Sequence, residues 1–123
     1  MKQVKLEEMT VDELIDRFAE IGVAQDKAEL MDEINKYNML YRQMEGVDQE
    51  LKRRGTAARR ALLRLYSHPN IQVRLKAAIR TLAVAPDVAR SALQEIKKSH
   101  SYPQAADASM FLRDFDDDSY KPD

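Results

Sequence analysis

Side chains able to do chemistry are few in this chain, and they are scattered. Its two histidines, His68 and His100, stand beside prolines in short turns, His68-Pro69-Asn70 and His100-Ser101-Tyr102-Pro103. A metal site needs at least one more His, Cys or carboxylate converging on the same point. A general base needs a nucleophile and an orienting acid within reach, and no local signature supplies either. Both histidines therefore read as turn residues, each bonding the end of its preceding helix. Asp116, Asp117 and Asp118 put three carboxylates in a row. A calcium loop instead alternates its ligands around a central glycine and closes on a glutamate, so this run reads as a solvated tail. The absence of cysteine removes disulfides, thiolate metal sites and thiol nucleophiles. Three glycines are too few for a backbone phosphate cradle, and neither H-E-x-x-H nor a nucleophile elbow occurs. No catalytic, cofactor-binding or metal-ligating residue is assigned, and enzyme activity is not expected.

The least generic feature is the distribution of charge. The formal net charge is -1, yet residues 1–50 hold 6 Lys/Arg against 13 Asp/Glu, residues 51–100 hold 12 against 2, and residues 101–123 hold 2 against 6. Within the basic middle, Arg59, Arg60, Arg64, Lys76 and Arg80 form the candidate interaction face. Such a face suits a protein partner, with charge setting on-rate and specificity, or a phosphate backbone. The competing reading is intramolecular: acidic and basic helices lie side by side, in exposed pairs of under about 1 kcal/mol each.

The elements that must position these residues are helical. A composition of 44% hydrophobic and 33% charged residues, with four prolines, suits a folded chain made of helices. Thr10-Val11-Asp12-Glu13 matches a capping box, and Val11, Leu14, Ile15, Phe18 and Ile21 make one stripe, with the helix ending near Gly22 to Gln25. A longer helix follows from about Asp26 to Arg54. Leu30, Ile34, Tyr37, Tyr41, Met44, Val47 and Leu51 define its buried face, Gly46 marks a kink and Gly55 the stop. Thr56 caps the next helix. Asn70 caps another, in which Val73, Ala77, Ala78 and Leu82 share a face, with Arg74 as a structural arginine. At an offset of 31 residues Leu62 meets Leu93, Leu65 meets Ile96 and Ala77 meets Ala108, a degenerate internal repeat.

With Val73, Arg74, Ala77, Ala78 and Leu82 in place, residues 62–82 resemble a HEAT-type repeat, and residues 89–112 are similar to a weaker one. Through LEEMTVDELIDRF and HPNIQVRLKAA the chain also resembles a family of small bacterial proteins carrying a domain of unknown function. The resemblance implies an all-α, right-handed α-α superhelix. One domain, residues 1–115, would hold a helical hairpin (10–54) and two HEAT-like pairs (56–85 and 86–115), and residues 116–123 would be a disordered acidic tail. It carries no activity and no site residues with it.

The expected function is a non-enzymatic protein-interaction module, a small bacterial adaptor or immunity-type regulatory protein. The alternative is nucleic-acid binding on a basic concave face. HEAT-like DNA glycosylases are the precedent for the alternative, but base chemistry needs stacking aromatics and an acidic catalytic group. This chain has no tryptophan, and its repeats offer few aromatics beyond Tyr66, Tyr102 and Phe111. The charged start Met1–Glu8 shows no leader, and no apolar run is long enough for a bilayer, so a cytoplasmic location is expected.

Overall fold

Thr10 opens the first long helix with a reciprocal cap. Its Oγ1 accepts from the Glu13 N–H at 3.1 Å, while Glu13 Oε1 accepts from the Thr10 N–H at 2.9 Å. In the computed structural model, which describes residues 5–123, this cap starts α1 (Val11–Leu30). It is followed by α2 (Ile34–Arg54), α3 (Thr56–Arg60), α4 (Ile71–Thr81), α5 (Pro86–Lys98) and α6 (Gln104–Asp116). Two 3-10 helices, Leu6–Glu8 and Ala61–Ser67, complete the regular structure, with no strand among the described residues. The fold is all-α, as expected. Half of the Met1–Glu8 stretch read for a leader, residues 1–4, lies outside the described residues. The helices group into two compact units, one ending at Ala61 and the other beginning at Leu62.

In the first unit α1 and α2 form the hairpin. Leu14, Ile15, Phe18 and Ile21 are buried on α1, as their spacing predicts. The helix does not stop near Gly22. The glycine is buried mid-helix, and the good helix formers of Ala24–Leu30 outweigh its cost of about 1 kcal/mol. The stop comes at Asp32, whose φ of 59° lies in the left-handed region. The Glu33 N–H bonds the Ala28 carbonyl at 2.8 Å and the Asp32 N–H bonds Glu29 at 3.2 Å, the paired closure that satisfies carbonyls at a helix end.

On α2 the interior face is Leu40, Met44, Val47, Asp48 and Leu51. The predicted stripe holds only from Met44 onward, because Leu30 and Ile34 are exposed by 80% and 68%. Spacing decides which residues share a side, not whether anything covers that side. The helix runs unbroken through Gly46. It stops at Gly55, whose φ of 112° and ψ of 175° suit glycine alone, and Gly55 rather than Thr56 occupies the cap position of α3.

In the second unit Asn70 Oδ1 accepts from the N–H groups of Gln72 (2.9 Å) and Val73 (3.2 Å), which starts α4. Leu75, Ala78 and Ile79 of α4 and Leu82 just past its end pack with Leu93 and Ile96 of α5 and Ala108 and Leu112 of α6. Small residues at Ala78, Ala89 and Ala108, all fully buried, let these helices approach closely. Inside the unit Gln104 Nε2 donates to Gln72 Oε1 at 3.0 Å, which satisfies two amides that would be costly to bury alone.

The stretch 116–123 is tied down at two points rather than trailing as a tail. Arg90 Nε and Nη2 donate to both Asp116 carboxylate oxygens at 2.9 and 2.8 Å. Tyr120 packs against the core and meets Phe111 edge-on, with ring centroids 5.4 Å apart.

Candidate functional site

The five basic residues are not presented as one set. Arg59 is 6% exposed and lies inside the first unit, its Nε 3.7 Å from Asp48 Oδ1, itself almost fully buried. That distance is an ion pair outside hydrogen-bonding range. Adjacent residues on a helix point about 100° apart, so Arg59 turns inward while Arg60 faces solvent. The countercharge comes from the preceding helix, α2, eleven residues before Arg59. The one signal that could have revealed it is an aspartate inside the apolar run Met44, Val47, Leu51. Arg64 is exposed in the second unit, and Lys76 and Arg80, half-buried there, are one α4 turn apart. Lys76 lies in the field of Asp107: burial pushes the Asp107 carboxyl up, and Lys76 pulls it partly back.

The histidines are structural in different ways. His68 Nδ1 accepts from the Asn70 N–H at 3.0 Å, so it serves the start of α4 rather than the end of the preceding helix. His100, exposed, takes a left-handed φ of 57° just past α5. Arg74 donates from Nη1 to the carbonyls of His68 (2.7 Å) and Pro69 (3.2 Å), so it braces its own turn. Asp116 is held by Arg90, and Asp117 Oδ1 accepts from the Ser119 N–H at 2.9 Å. Among the described residues no three His, Cys, Asp or Glu side chains gather where they could hold a metal.

The surface most out of place for water is the tip of the α1–α2 hairpin. Leu30, Met31 and Ile34 are 80%, 64% and 68% exposed. Ile34 also lines a cleft of about 200 Å³ at this tip, formed with Ala28, Glu29, Asp32, Glu33 and Tyr37. Its geometry follows from the left-handed Asp32, which turns the chain so that two apolar helix ends stand beside three carboxylates. Such a surface can take an apolar side chain into the cleft and cations at its rim.

Hairpin and three-helix unit together define a small all-helical protein with an apolar, acid-rimmed tip. The chain belongs to the family described as Domain of unknown function (DUF2019), whose model matches residues 12–116. It is similar to the protein RPA1889 from Rhodopseudomonas palustris CGA009, known from a crystal structure. The two are 45% identical with a TM-score of 0.94, over 98% of this chain and 100% of that one. Comparison with curated proteins gives no match. Among the described residues no helix is long and apolar enough to cross a membrane.

Proposed function

We propose that this chain is a non-enzymatic protein-interaction module, an adaptor or immunity-type regulator of the bacterial cytoplasm, and that the α1–α2 tip holds its partner. In this reading the helices after Gly55 are HEAT-like pairs of a short right-handed superhelix. The carrying observation is the exposure of Leu30, Met31 and Ile34 at the hairpin tip, where Ile34 also lines the cleft. Helix ends form as well with lysine or glutamate in those places, so local folding gives no reason for large apolar groups there. Burying each against a partner contributes about 1.5–3 kcal/mol. The rim carboxylates Glu29, Asp32 and Glu33 select a partner segment with an apolar anchor flanked by lysine or arginine.

The test is affinity capture from the native cells with the wild-type chain and with Leu30→Asp and Ile34→Asp, identified by mass spectrometry and repeated with purified partner. Both positions are exposed, so folding stability stays within about 0.5 kcal/mol. A protein bound by wild type and lost by at least about ten-fold in each variant supports the reading. Equal retention by the variants, or self-association in place of a partner, overturns it. The nucleic-acid alternative loses Arg59, which faces Asp48 in the interior. It predicts salt-dependent binding to labelled oligonucleotides that falls with Arg60→Glu and Arg64→Glu.

A further inference from the structure

We propose that the cleft between α4 and α5 in the second unit binds a small zwitterion, an α-amino acid with an apolar side chain. The cleft encloses about 480 Å³, within the roughly 300–1,000 Å³ of small-molecule sites. Arg74 and Glu95 both line it. Arg74 is half-buried, and its two bonds to the His68 and Pro69 carbonyls occupy both Nη1 hydrogens. Those bonds hold the guanidinium in place. Its Nε–Nη2 edge makes no hydrogen bond within the described residues, and that edge is the two-donor fork that matches a carboxylate.

Glu95 faces the same space, and its carboxylate is not ion-paired to Arg74 or to any other described residue. Opposite charges that share a cleft without reaching each other leave a position for a ligand carrying both signs. The carboxylate goes to Arg74 and the ammonium to Glu95. Glu95 lies in the last turn of α5, where the helix dipole adds to its pull on a cation. Val88, Ala92 and Ile96, at successive four-residue steps along α5, supply an apolar strip for the side chain, and Val88 is 49% exposed without it. A phosphate dianion would meet one arginine and a repelling glutamate, and an uncharged ligand would leave both charges unmatched.

Titration of the ¹⁵N-labelled chain with L-leucine, followed by NMR, tests this. Saturable shifts are expected at residues 66–74 and 88–99. Glycine, leucine methyl ester (no carboxylate) and N-acetyl-leucine (no ammonium) should each bind at least about ten-fold more weakly. Glu95→Gln and Arg74→Gln should each weaken leucine by a similar factor. Arg74→Gln also removes the brace on its turn, so Glu95→Gln, at an exposed position, is the decisive variant. No saturable shift by about 10 mM leucine, equal binding of the blocked analogues, indifference to Glu95→Gln, or shifts confined to the α1–α2 tip would each overturn the proposal. The hairpin-tip reading stands or falls separately, since its residues lie in the first unit.

Discussion

At the scale of single residues, two positions carry unusual weight. Gly55 adopts a φ of 112° with ψ near 175° between α2 and α3, a conformation open to glycine and strained by about 1–3 kcal/mol for other residues. Gly55→Ala is expected to lower unfolding free energy by that amount in urea denaturation, although nothing lies within 4 Å of the added methyl position. An unchanged midpoint would show that the chain reaches another geometry there. Asp48 and Arg59 make the other case. Removing one member of a buried ion pair strands the other charge and costs about 3–5 kcal/mol, whereas replacing both by apolar groups is often neutral. Asp48→Ala should therefore destabilise strongly, and the double change Asp48→Leu with Arg59→Met should recover most of the loss. A double variant as unstable as the single one would contradict this account.

At the scale of elements, several carboxylates lock helix ends or join helices, and all respond to acid in one direction. Glu50 is drawn from 4.5 to about 2, chiefly by its hydrogen bond to Arg53 and then by the one to Arg54. Glu13 is lowered by its bonds to Thr10, Asp116 by Arg90 and Asp117 by Ser119. Each binds fewer protons folded than unfolded, so its contribution is complete above the ordinary carboxyl range and fades as pH falls through the lowered value. Asp107, raised by burial, works the other way. Urea midpoints are expected to hold near pH 6 and to fall from about pH 4.5 downward, with Glu50→Gln flattening part of that fall. A midpoint that rose on acidification would refute the assignment. Element ends were only partly legible from sequence. The Thr10 box and the Asn70 cap each rest on a few adjacent residues, and both formed as read. The end of α1 lies beyond the expected one because Gly22, a weak helix former, is held mid-helix by burial, while the stop depends on Asp32 turning left-handed.

For the molecule as a whole, charge and exposed apolar surface act together. The isoelectric point is about 6.1, and repulsion between copies vanishes there. Light scattering should therefore peak near that pH, and Leu30→Asp should lower the peak by removing an exposed apolar contact; a flat profile for wild type would argue against it. What the sequence by itself determined is the helical nature of the chain, the Thr10 and Asn70 caps and the interior faces of α1 and α4. These follow from neighbours within one or two turns, whose spacing acts wherever the helix lies. Only the tertiary structure decided which side of each stripe is covered, so that Leu30 and Ile34 stand in water while Arg59 does not. It alone matched Asp48 to Arg59, Gln72 to Gln104 and Arg90 to Asp116. Burial and pairing are set by groups brought together from distant parts of the chain, and the pattern within one helix carries no record of what will pack against it.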